Sequence, residues 1–248
     1  MTNNISPPSV GQPRTVILSR GTAWLTEGFG YFQKDTVAWV GVTILWFVIT
    51  LALAFVPLLG NLAVQILTPV FIGGMMLGCR ARAQGGAFQV AHLFAGFSQN
   101  TGQLIVLGLL YLGGIIAIVI LLMVLVIFSF GGLAIIQQVN AGDLTALTDN
   151  LKVVLLIILI TLSLYVPLLM AFWFAPALVI LRNAGAVDAL KLSFNGCFLN
   201  IMPFLLYGII GLALTIVAVI PMGLGLLVLV PMVTASMYVA CQDIFPEQ

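Results

Sequence analysis

Long stretches without a charged side chain alternate with short polar junctions along this chain. No Asp, Glu, Lys or Arg falls between Asp35 and Arg80, Arg82 and Asp143, Lys152 and Arg182, or Lys191 and Asp243. A helix needs about 20 apolar residues to cross roughly 30 Å of hydrocarbon. The first gap, divided at Pro57-Leu-Leu-Gly60, predicts spans over 37–56 and 61–80. The second and third predict one long span each, 102–130 and 152–181, and the last divides at Pro221-Met-Gly223 into 201–220 and 223–242. The fold class is therefore an all-α membrane protein with six transmembrane helices. The two longest runs exceed the bilayer thickness and predict tilting or extension beyond it. Pro69, Pro167, Pro176, Pro203 and Pro231 lie in or at the ends of spans. They read as packing kinks, with a gating hinge as the sharper alternative.

Three shorter segments carry helical periodicity with polar partners. Residues 20–34 place Trp24, Phe29 and Phe32 on one face, with Glu27 and Lys34 opposite. Residues 87–100 offer Phe88, Leu93, Phe94 and Phe97, and residues 186–200 offer Leu190, Phe194 and Phe198. Such amphipathic helices are expected to lie in the headgroup plane. Each precedes two spans, so the chain reads as three repeats of interfacial helix, span, span, over 19–82, 87–185 and 186–245. The first and third align without a gap at an offset of 162: Phe32 with Phe194, Pro69 with Pro231, Met75 with Met237, Cys79 with Cys241. The pair Gly74 and Gly78 aligns with Ser236 and Ala240. A pseudo-threefold bundle is the natural expectation. Because each repeat has an even number of spans, the inverted repeats that ease alternating access are not available.

Composition changes the picture mainly by exclusion. Of 248 residues 62% are hydrophobic and 6% charged, eight basic and seven acidic, and mean hydropathy is +1.24. Soluble domains carry about a quarter charged residues, so a soluble enzyme and a disordered regulator are excluded. A net charge of +1 gives no footprint for nucleic acid. Arg14, Arg20, Lys34, Arg80, Arg82, Arg182 and Lys191 collect on the side of the termini, against Lys152 on the other. The positive-inside rule then places both termini in the cytoplasm. Residues 131–150, with Asp143, Asp149 and the run Gln137-Gln138-Val-Asn140, are expected to form the one sizeable outer loop. Residues 1–18 carry no signal-peptide pattern and read as a disordered cytoplasmic tail ahead of a single transmembrane domain, 19–248.

Candidate chemistry is sparse. No ionisable side chain falls in the middle of a span, which argues against proton coupling, intramembrane proteolysis and phosphotransfer. Thr50, Gln65, Thr68, Thr161, Ser163, Thr215, Thr234 and Ser236 are the polar groups left for a Na⁺ path, although membrane hydroxyls commonly bond their own helix. His92 is the one histidine and reads as an interfacial polar contact. Cys79, Cys197 and Cys241 read as small packing residues; a zinc site or S-acylation is the weaker alternative. No metal or cofactor is expected. Gly74, Gly78, Ser236 and Ala240 permit close helix approach, within the bundle or across a homodimer. Arg20, Lys34, Arg80, Arg82, Arg182 and Lys191 are the candidates for lipid headgroup contact.

Through His92-Leu-Phe-Ala-Gly-Phe97, Phe174-Ala-Pro-Ala-Leu-Val179, Pro221-Met-Gly-Leu-Gly225 and the ending Asp243-Ile244-Phe245, the chain resembles an uncharacterised family of proteobacterial six-span integral membrane proteins. The resemblance covers nearly everything from Arg14 onward and brings no catalytic residues with it. More distantly, the plan is similar to the membrane domain fused to some bacterial glycerophosphodiester phosphodiesterases, which implies an association with lipid metabolism or with another membrane protein. The reading is a non-enzymatic lipid-interacting or partner-binding scaffold. Its partners would be membrane lipids and another membrane protein or a second copy, and never nucleic acid. The alternative is a channel or facilitator for a small neutral or apolar solute.

Overall fold

A computed structural model describes residues 11–130, 140–142 and 150–246. The described elements are helices α1 (Arg20–Lys34), α2 (Thr36–Ala54), α3 (Leu59–Ala83), a 3-10 helix (Val90–Phe97), α4 (Thr101–Ser129), α5 (Leu151–Trp173), α6 (Ala175–Arg182), α7 (Ala186–Leu199), α8 (Ile201–Val219) and α9 (Leu226–Ile244). Six helical runs are long and apolar enough to cross a membrane: α2, α3, α4, α5 with α6, α8 and α9. The fold is thus all-helical with six candidate spans, as the charge-free gaps imply. Most of the expected outer loop, including Asp143 and Asp149, lies outside the described residues.

Two compact units are distinguished: Leu110–Leu169, and the remainder, Met1–Leu109 with Met170–Gln248. The smaller unit pairs the rest of α4 with most of α5. Its Ile116, Val119, Ile120, Phe128, Leu155 and Leu159 are exposed, which suits helices solvated by hydrocarbon.

The larger unit holds the buried core, the six candidate headgroup cations and the small residues Gly74, Gly78, Ser236 and Ala240. Here the short helices pack on spans. Helix α1 lies against α9 and α8, the 3-10 helix against α3 and α2, and α7 against α6. Glycine makes two of these contacts. A Cβ on Gly28 would lie 2.5 Å from the Met232 carbonyl oxygen and 2.7 Å from the Ser236 amide. One on Gly96 would lie 2.0 Å from the Val70 carbonyl oxygen and 3.1 Å from the Gly74 amide. Val70 and Gly74 sit at the same offset of 162 from Met232 and Ser236, so both glycines cover the same step of a span backbone. On the span formed by α5 with α6 a hydroxyl is inserted instead. Ser193 Oγ accepts from the Phe174 amide at 2.9 Å and donates to the Met170 carbonyl at 2.7 Å. It bridges the break between α5 and α6, where Pro176 withholds an amide from the helix.

The faces that the short helices bury coincide only in part with the apolar sets that the sequence picks out. In α1, Gly21, Trp24, Leu25, Gly28 and Phe32 are buried and Phe29 is exposed. In the second segment Phe88 and Leu93 are buried, while Phe94 and Phe97 are exposed. The difference is largest in α7. Its buried face is Ala186, Ala189, Ser193, Gly196 and Cys197, whereas Phe198 is exposed and stacks on Phe194. Small side chains let α7 approach its neighbours, and the large apolar ones face outward, as suits a chain whose solvent is hydrocarbon.

Each junction into a span pair carries an Asx side chain that holds another stretch of backbone. Asp35 Oδ2 accepts from the Phe88 amide at 3.2 Å. Asn100 Nδ2 donates to the Val179 carbonyl and to Asn183 Oδ1. Asn200 accepts from the Val16 amide at 2.8 Å and donates to the Arg14 carbonyl at 3.0 Å. Part of the segment read as a disordered tail is therefore bound: Arg14 also donates its amide to the Ile244 carbonyl. These bonds give the polar segment a reason to order that its composition alone does not contain. Residues 1–10 lie outside the described ones.

Candidate functional site

The six predicted headgroup cations divide into two groups. Arg20 is bound on both sides, through Nη1 to Glu27 at 2.8 Å and through Nη2 to Asp243 at 2.5 Å. Burial favours its neutral form, but the hydrogen bonds and charges of Glu27 and Asp243 outweigh this and raise its pKa. Asp243 Oδ2 also accepts from the buried Trp24 Nε1 at 2.7 Å, and its carbonyl accepts from Arg14. Arg82 lies 3.3 Å from Asp35 and donates to the Gly86 carbonyl. Arg182 donates to Gln242 and to the Phe245 carbonyl. These three arginines therefore stitch helix ends together. Lys34, Arg80 and Lys191 make no hydrogen bond or ion pair among the described residues, and Lys34 and Lys191 are exposed. Lys34, Arg80, Arg82 and Arg182 occupy last turns, where a cation complements unpaired carbonyls. Arg20 and Arg182 meet at the end of α9, and Lys34 and Arg82 flank Asp35; Arg80 and Lys191 join neither cluster.

The small residues singled out for close packing do sit at contacts. A Cβ on Gly74 would lie 2.4 Å from the His92 carbonyl oxygen, and one on Gly78 would lie 2.5 Å from the Phe88 ring. Ser236 is buried, shares a hydrogen bond with the Tyr207 hydroxyl at 2.8 Å and donates to the Val233 carbonyl; Ala240 is buried as well. Their neighbours are the short helices and the core, which sequence spacing did not reveal. His92 Nδ1 accepts from the Gln89 amide at 2.9 Å and closes a capping box on the 3-10 helix. No group of three or more His, Cys, Asp or Glu is placed to hold a metal among the described residues.

All three thiols are buried. For Cys197, outside the spans, burial pushes the pKa up to about 12, partly opposed by a hydrogen bond with Ser193. Since the thiolate is the nucleophile, the folded protein at pH 8 is expected to take up no maleimide at Cys79, Cys197 or Cys241. Denaturation in SDS should expose all three to labelling, as mass spectrometry would count.

The span hydroxyls are satisfied locally. Thr50, Thr68, Thr161, Ser163, Thr215 and Thr234 each donate to a carbonyl three or four residues back on their own helix. Gln65 is exposed.

The sequence reading missed an apolar groove of about 720 Å³ between α1, α8 and α9. Helix α1 crosses both spans at glycine contacts, Gly21 on Pro203 and Gly28 on Met232. Further along, α8 and α9 close on each other where Gly225 meets Ala218. The groove lies in the resulting wedge. Leu25, Leu214, Val217 and Leu229 are among its walls, and Thr22 and Thr26 are its hydroxyl-bearing residues, already bonded to the Ser19 and Ala23 carbonyls.

Over 225 residues the chain is 27% identical to a probable inner membrane protein of Burkholderia thailandensis, covering 88% of this chain and 80% of the relative. No family model and no solved structure matches it. The chain is a multi-pass inner-membrane protein.

Proposed function

We propose that this protein is a non-enzymatic lipid-interacting scaffold of the inner membrane, with both termini in the cytoplasm. The groove between α1, α8 and α9 carries the reading. Its walls are apolar and its two hydroxyls are already bonded to backbone, so its chemistry suits a lipid acyl chain. Burying a chain here gains little over leaving it among other chains, because lipid is as apolar as the walls. Selectivity must therefore come from shape and from the headgroup. Lys34, Arg80 and Lys191 remain for an anionic headgroup, since Arg20, Arg82 and Arg182 already have protein partners. The resemblance to the membrane domain fused to glycerophosphodiester phosphodiesterases points the same way by analogy. Another membrane protein or a second copy is the alternative partner. The facilitator reading draws less support, because the span hydroxyls use their protons on their own backbones.

Native mass spectrometry of protein extracted from its own membranes tests this. The wild type is expected to retain phospholipid. Val217→Trp and Leu214→Trp, which fill the groove, should lower retention several-fold. Replacing Lys34, Arg80 and Lys191 together with Gln should shift the retained population away from anionic lipids. Unchanged retention in the tryptophan variants would sink the reading.

A further inference from the structure

The α2–α3 and α8–α9 hairpins, both within the larger unit, have turns with unusual chemistry. Residues 55–60 and 219–225 include no charged residue and no Trp or Tyr, the types that mark a boundary between membrane and water. Large apolar side chains are instead laid open there: Phe55 80%, Leu58 71%, Ile220 76% and Met222 98% exposed. Leaving such surface in water costs about 25 cal/mol per Å².

The backbone of both turns suits an apolar medium as well. Phe55, Val56, Leu59 and Gly60 donate their amides to the Ala52, Leu53, Pro57 and Val56 carbonyls. Gly223, Leu224, Leu226 and Leu227 donate theirs to the Val219, Pro221, Gly223 and Leu224 carbonyls. Pro57 and Pro221 have no amide hydrogen to satisfy. Most donors of the turns are therefore met without water, as backbone in hydrocarbon requires.

The height of the hairpins agrees. The short helices carry groups that need water, since Glu27 and Lys34 of α1 are exposed, as are Gln89 and Ser98 flanking the 3-10 helix. Met232 and Ser236, where Gly28 seats, lie about 9–15 Å from the start of α9 at 1.5 Å per residue. By the same rise, Pro203 and Tyr207 under Gly21 lie about 18–24 Å from the end of α8. Val70 and Gly74 under Gly96 lie about 16–22 Å from the start of α3. Helix tilt only shortens these projections. All fall short of the roughly 30 Å of hydrocarbon, so with the short helices at one headgroup layer the turns do not reach the other.

We propose that the turns of α2–α3 and α8–α9 are embedded in the acyl chains of the leaflet opposite the short helices. Phe55, Leu58, Ile220 and Met222 form the contact with lipid tails, and the headgroups of that leaflet close over them. The surface is distinct from the groove between α1, α8 and α9 and does not depend on a lipid being held there.

The test places nitroxide labels on Leu58→Cys and Met222→Cys, attached in detergent before the full chain is returned to lipid nanodiscs, which leave both membrane faces open. Gln84→Cys, exposed just past α3, is the water reference, and Leu212→Cys, 64% exposed midway along α8, is the lipid reference. The wild type, with its three buried thiols, supplies the blank. Dissolved oxygen, which partitions into hydrocarbon, and water-soluble nickel(II) ethylenediaminediacetate are the two relaxing agents. Oxygen is expected to relax the Leu58 and Met222 labels several-fold more than nickel does, as at Leu212, with the opposite order at Gln84. Nickel relaxation at either turn as strong as at Gln84 would place that turn in water and overturn the proposal.

Discussion

Gly96→Val and Gly28→Val are each expected to remove folded protein, while Gly30→Ala, two residues from Gly28, is expected to be neutral or mildly stabilising. The first two positions face backbone at 2.0 Å and 2.5 Å from a carbonyl oxygen, so no side-chain rearrangement can make room. Span and short helix would have to separate, which belongs with the exceptional losses of about 4 kcal/mol or more. Gly30 meets nothing within 4 Å of an added Cβ, and helical alanine is favoured over glycine by about 0.5–1 kcal/mol. Thermal unfolding of detergent-solubilised protein, followed by size-exclusion chromatography, reads the contrast. Equal behaviour of Gly28→Ala and Gly30→Ala would show that α1 does not seat on α9 as described.

The second large effect is expected at Asp243, which no sequence motif singled out as a hub. Asp243→Ala strands the Trp24 indole N–H in a site where the ring is fully buried, and leaves Arg20 with Glu27 alone. The lost bond to a buried donor costs about 1–3 kcal/mol. Asp243→Asn retains an uncharged acceptor and should fall between alanine and wild type. Glu27→Gln should move stability by less than about 1 kcal/mol, because Glu27 is 46% exposed and such pairs are weak. A Glu27→Gln effect as large as that of Asp243→Ala would contradict this ordering.

The spans were legible because the bilayer imposes one rule, a charge-free apolar run of sufficient length, and the chain obeys it at every span. The offset of 162 read from the sequence pairs Val70 and Gly74 with Met232 and Ser236; Gly96 covers the first pair and Gly28 the second. The faces of the short helices were not legible. The apolar sets legible on these helices, such as Leu190, Phe194 and Phe198 in α7, suit the headgroup plane and do not reveal which face packs on protein. The contact face is instead Ala186, Ala189, Ser193 and Gly196, because hydrocarbon solvates phenylalanine as well as a core does. The candidate cations were found as a group but not sorted. The carboxylates and carbonyls that bind Arg20, Arg82 and Arg182 come from other parts of the chain, so no local pattern separates them from Lys34, Arg80 and Lys191. The groove escaped for the same reason, since it depends on where α1 crosses α8 and α9.

The central claim, that the wedge between α1, α8 and α9 is a lipid site, is tested most directly by photocrosslinking in native-lipid nanodiscs. The probe is a phospholipid with a diazirine midway along one acyl chain. Adducts mapped by mass spectrometry are expected to concentrate on Leu25, Phe29, Leu214 and Val217, and to fall when unlabelled phospholipid is added. Adducts spread evenly over the outward faces of all six spans, with no preference for these residues, would contradict the account.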